Sequence, residues 1–121
     1  MSRRGFGDLK VWQRAKELAV DVYALVKRSP ELTKDFGLRD QMQRAAVSVC
    51  SNIAEGDERD TDKDAVRFFY IAKGSIAELI TQLEIAKDAK LIEPTLADAL
   101  IKESEEVGAM LGGLIKSRVS S

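Results

Sequence analysis

Gln41 to Gly56 reads QMQRAAVSVCSNIAEG, and at the helical period this stretch splits into two lines. Met42, Ala45, Ala46, Val49 and Ile53, extended backwards by Leu38, share one face. Gln41, Ser48, Asn52 and Glu55, with Arg44 alongside, form a polar line directly beside it. Uncharged hydrogen-bonding groups at the margin of an apolar stripe cost stability when left unpaired, so this helix needs a neighbour that supplies partners. A matching line, Ser75, Glu78 and Gln82, lies beside the stripe Phe69, Ala72, Ile76, Leu79, Leu83. Both polar lines are offset from their stripes in the same rotational sense, so antiparallel pairing turns them toward each other. The expectation is a polar seam between two central helices.

The rest of the chain supplies two more helices. Asp8 is a candidate N-cap for a first helix running to about Arg28, before Ser29 and the breaker Pro30, and it leaves residues 1–7 as a flexible arm. The apolar face of that helix, Val11, Ala15, Leu18, Val22 and Leu25 with Trp12 and Tyr23 adjoining, is wider than a small bundle requires. Either it meets a second subunit or the aromatics close the bundle edge. Residues 29–37 read as a loop, with Gly37 as punctuation and Gly56 suited to a left-handed turn at the end of the second helix. Thr61 with Asp64 reads as a capping-box variant opening a third helix from about Lys63 to Ala89. Gly74 inside that helix costs roughly 1 kcal/mol relative to alanine, which suggests that something packs close against the backbone there, either the opposite helix or a subunit neighbour. Pro94 fits the first turn of a fourth helix reaching about Lys116. No stretch alternates with the period of a strand. Four helices joined by short connections predict an all-α, antiparallel up-down-up-down four-helix bundle, a single domain over residues 1–121.

Composition narrows the function. With 45% hydrophobic and 32% charged residues the chain can fill a core. The net charge of -1 conceals a bipolar distribution: residues 1–50 hold 10 basic and 6 acidic side chains, residues 51–121 hold 9 and 14. The single cysteine, Cys50, precludes an internal disulfide and sits at the edge of an apolar face, where a buried thiol is the expected reading. A reducing cytoplasm fits. No signal peptide or membrane-length apolar run occurs. Histidine is absent, so Ser-His-Asp and Cys-His catalysis and the usual zinc and di-iron ligand sets do not apply. Asp60, Asp62 and Asp64 match the start of an EF-hand loop, but Ala65 stands where glycine is needed and Ile71 where glutamate is, so calcium is not expected. No metal and no cofactor are expected. Glu55 and Glu78 could act as an acid and base pair if burial separated their pKa values. The expected reading is that an arginine such as Arg44 or Arg67 holds them in a structural role. Arg3, Arg4, Lys10 and Arg14 form a candidate RNA- or DNA-contacting patch at the N-terminal end.

Three stretches, DLKVWQRAKELAVDVY, GLRDQMQRAAVSVCSNIAEG and FFYIAKGSIAELITQLEIAKD, carry a resemblance to a known family. Together with the sequences Asn52-Ile53-Ala54-Glu55-Gly56 and Gly74-Ser75-x-x-Glu78-Leu79, they resemble the bundle family named for proteins encoded within intervening sequences of 23S ribosomal RNA genes. The chain is also similar to the accessory variability proteins of diversity-generating retroelements. Gln41, Arg44, Ser48, Asn52, Glu55, Gly56, Arg59, Ser75 and Glu78 stand at positions typical of the family. The resemblance implies a ring-shaped homopentamer, with nucleic-acid association in the retroelement branch through a basic surface. Taken together, the sequence predicts a non-enzymatic, self-associating structural or adaptor module. The alternative is a nucleic-acid-binding accessory protein acting through the basic N-terminal surface.

Overall fold

The structure, a computed structural model, describes residues 5–119. A single 3-10 turn, Phe6–Asp8, precedes α1 (Lys10–Arg28), α2 (Pro30–Lys34), α3 (Phe36–Asp57), α4 (Asp62–Asp88) and α5 (Pro94–Val119). Local chemistry sets most of these boundaries. The Thr61 hydroxyl accepts the Asp64 amide at 3.2 Å and starts α4, as its spacing implied. Asp35 does the same for α3, its carboxylate accepting the Leu38 amide at 3.1 Å. Pro94 occupies the first position of α5.

Several expectations need correction. Asp8 does not cap α1. It lies in the 3-10 turn, which folds the end of the expected arm onto α1 through a 5.1 Å edge-to-face contact of Phe6 with Trp12 and a 2.8 Å hydrogen bond from Gln13 to the Gly7 carbonyl. The expected loop over residues 29–37 contains α2, because Pro30 ends one helix and also sits at the first position of the next. Leu32 of α2 is fully buried and closes that end of the core. Gly37 falls inside the first turn of α3.

Gly56 is helical, not left-handed, and its role is spatial. A Cβ built there would lie 2.6 Å from the Phe69 ring and 2.9 Å from the Ala65 carbonyl oxygen, so only glycine lets α3 approach the start of α4 this closely. The left-handed position belongs to Lys90 at φ 63°. Its amide reaches the Lys87 carbonyl at 3.0 Å and that of Leu91 reaches Ala86 at 2.9 Å, forming a Schellman closure of α4. Gly74 also departs from expectation within the protomer: it is exposed, and an added Cβ would meet nothing within 4 Å.

The four long helices pack as a square, α1 against α3 and α5, and α4 against the same two. Residue numbers rise along one helix as they fall along its neighbour. Ser48 meets Ser75 and Gly56 meets Phe69 between α3 and α4, while Lys87–Asp98 and Arg118–Asp62 link α4 to α5. Arg14–Glu106 and Asp21–Glu103 do so for α1 and α5. Neighbours are therefore antiparallel, as short connections require. Leu18, Val22, Met42, Phe69, Leu79 and Leu111 fill the centre, each contributing about 1.5–3 kcal/mol through burial. At one end Arg118 binds the Asp57 carboxylate at 3.0 Å and spans the Phe69 ring at 5.4 Å, fastening the close of α5 over the α3–α4 turn.

Candidate functional site

The candidate seam lies where α3 meets α4. The Ser48 and Ser75 hydroxyls are 2.8 Å apart, and the Asn52 amide donates to the Ser48 carbonyl at 2.9 Å and to its hydroxyl at 3.0 Å. Ser75 and Gln82 are buried, Ser48 and Asn52 half-buried. Gln82 Oε1 is enclosed without a hydrogen-bond partner among the described residues. The other seam candidates, Gln41, Arg44, Glu55 and Glu78, are exposed. Rotation accounts for most of this division. Arg44, Glu55 and Glu78 lie about 130–150° from the centres of their apolar stripes, whereas Ser48, Asn52, Ser75 and Gln82 lie about 70–110° away.

Neither expected arginine holds Glu55. Its carboxylate binds Arg59, just beyond the end of α3, at 2.9 Å, and the Arg59 and Arg67 guanidiniums both stand over Phe68, at 4.3 and 4.6 Å from its ring centroid. Glu78 makes no ion pair among the described residues. With Ser48 and Ser75 level, Glu55 lies seven residues toward one end and Glu78 three toward the other, about 15 Å apart along the axis. Two carboxyls so separated cannot share a proton or flank one bond.

The perturbed carboxyl is elsewhere, at a position sequence reasoning missed. Burial, then the charge of Asp21 and a hydrogen bond with it, push Glu103 on α5 up to about 7; Glu17 adds to the rise and Arg14 opposes it. Both acids line a groove of about 200 Å³ between α1 and α5, with Leu25, Leu96 and Leu100 as its apolar wall. The signal was present as Glu17 and Asp21 facing Glu103 and Glu106, but it became readable only once α1 was known to lie beside α5. Burial also raises the Cys50 thiol, which keeps it protonated and weakly nucleophilic.

Arg3 and Arg4 of the basic patch lie outside the described residues. Lys10 is exposed, while Arg14 is engaged by Glu106 at 2.9 Å and Glu17 at 3.9 Å, so its charge is largely compensated. Among the described residues no cluster of metal-ligating side chains forms, and no helix is long and apolar enough to cross a membrane. Large apolar side chains stand on the outside instead. Val20 is 59% exposed, Tyr23 43%, Tyr70 58%, Ile71 44% and Ile85 52%.

Comparison with known proteins gives a family and a fold. Residues 7–113 match the family described as 23S rRNA-intervening sequence protein. The structure is similar to the 1.70 Å crystal structure of a protein of unknown function from the S23 ribosomal protein family of Bacteroides thetaiotaomicron VPI-5482. The TM-score is 0.82 at 24% identity, covering 88% of this chain and 98% of that one. None of the curated proteins matches.

Proposed function

The chain belongs to the 23S rRNA-intervening sequence protein family, and on that footing we propose that it is a non-enzymatic structural or adaptor module whose copies assemble into a closed homopentameric ring. The observation that carries this reading is the apolar exterior of α1 and α4. Val20 and Tyr23 lie one turn apart on α1, and Tyr70, Ile71 and Ile85 lie on the outside of α4, over a core that is already filled; α3 exposes Phe36 and Val47 and α5 exposes Val119. Surface apolar residues scattered singly need no explanation, but rows of them along two helices mark interaction surfaces. The groups that would have to cooperate in catalysis, Glu55 and Glu78, are separated, and the seam's hydrogen bonds are structural: the Ser48 and Ser75 hydroxyls join α3 to α4, and the Asn52 amide is held by Ser48 on its own helix.

Static light scattering on the purified protein at micromolar concentration tests the proposal. A mass several times 13.4 kDa is expected, and a monomer would remove it. Nucleic-acid contact through Arg3, Arg4, Lys10 and Arg14 has less support, since Arg14 is already compensated. RNA and DNA binding is accordingly expected to be weak even at low salt, where phosphate attraction is strongest.

A further inference from the structure

Along α1, Trp12, Lys16, Val20, Tyr23 and Lys27 share one outward face, and Lys16 and Lys27 bracket the apolar pair Val20 and Tyr23. On α4 the outward face runs through Gly74, Ala77, Glu78, Thr81, Ile85 and Asp88, all exposed. Here two carboxylates bracket a smooth, weakly polar stretch. Lys16 and Lys27 are separated by about 16 Å along α1, and Glu78 and Asp88 by about 15 Å along α4. None of these four charges has an ion-pair partner among the described residues of its own protomer. Gly74 adds an independent mark. It gives up roughly 1 kcal/mol of helix propensity, yet nothing in the protomer uses the space it leaves.

We infer that these two faces are the two halves of one contact, the α1 face of each copy docking on the α4 face of the next. Lys16 then meets Glu78 and Lys27 meets Asp88, Val20 and Tyr23 cover Thr81 and Ile85 between them, and the turn of α1 at Trp12 passes over Gly74. The inference rests on the self-association proposed above and names its surfaces. Gly74 and Ala77 allow the incoming helix to come near the α4 backbone, and the matched charges fix its register and reject a like face. α1 and α4 occupy opposite corners of the square, so one protomer engages two neighbours at once. A contact between unlike faces propagates head to tail and closes into a ring when its rotation allows.

Two variants separate the faces. Val20→Glu with Tyr23→Glu disables the α1 face, and Gly74→Trp with Ile85→Glu disables the α4 face; all four positions are solvent-exposed, and circular dichroism checks folding. If either pair unfolds the chain, the single substitutions Val20→Glu and Ile85→Glu replace it. Each variant alone is expected to sediment at the chain mass of 13.4 kDa, and an equimolar mixture as a dimer of twice that mass, since one intact contact remains. If either variant alone keeps the parent's mass, or the mixture stays monomeric, the assignment of faces is overturned while self-association stands. A monomeric parent overturns both.

Discussion

Single residues carry consequences out of proportion to their size. At Gly56 even a methyl group collides with Phe69 and a backbone carbonyl, so Gly56→Ala is expected to destabilise the protein by about 2 kcal/mol despite alanine's better helix propensity. A urea titration reads this directly. Lys90 invites the opposite change. Its left-handed conformation strains any residue with a Cβ, and Lys90→Gly should raise stability by about 1 kcal/mol in the same titration. Neither role was legible in the sequence. A glycine just before an acidic turn reads as a helix cap, and only the packed neighbour shows it to be a contact point.

Glu103 makes a prediction of its own. Its folded pKa of about 7 stands above the ordinary 4.5, so the folded protein holds this proton more tightly than the unfolded chain. The stabilisation is complete below about pH 4.5 and is lost as pH rises through 7. Since the groove is open to solvent, the loss should be of the order of 1 kcal/mol. Glu103→Gln should flatten the urea midpoint between pH 5 and 8 and raise it at the alkaline end, and an unchanged profile would assign the proton elsewhere.

At the scale of helices, the α3–α4 pairing was the most legible part of the fold. Its apolar stripes and polar lines are local patterns, and a helix writes its buried face into a fixed period. The extent of the seam was less legible, because a polar line winds around the cylinder: only Ser48, Asn52, Ser75 and Gln82 turn inward, and of these only the Ser48 and Ser75 hydroxyls bond across to the neighbour. α2 was hidden because proline both ends and begins helices. The α1–α5 contact, with Asp21 against Glu103, joins residues far apart in sequence, and no periodicity within either helix announces it. Gln82 supplies the prediction at this scale. An enclosed amide oxygen without a partner costs about 1–3 kcal/mol, so Gln82→Met, which keeps the shape and removes the polar group, should stabilise the protein by about 1 kcal/mol in thermal unfolding. Destabilisation would mean that the oxygen has a partner within the folded assembly.

For the whole molecule, the filled core and the apolar exterior have different explanations. The core accounts for Leu18, Phe69 and Leu111; it has no use for Val20, Tyr23 or Ile85, nor for an open glycine in the middle of a 27-residue helix. The breadth of the α1 face was visible in the sequence, but two readings remained open there, a subunit contact or a closed bundle edge. The structure leaves Val20 and Tyr23 in solvent and places a second such face on α4, and these observations favour the subunit contact. Copies meeting through unlike faces form one closed species when the contact's rotation closes the ring, as we propose, and an open, concentration-dependent ladder when it does not. Native mass spectrometry tests this most directly. The account predicts a single dominant ion series near five times the chain mass of 13.4 kDa across a hundredfold dilution, and a series at the mass of one chain throughout that range would contradict it.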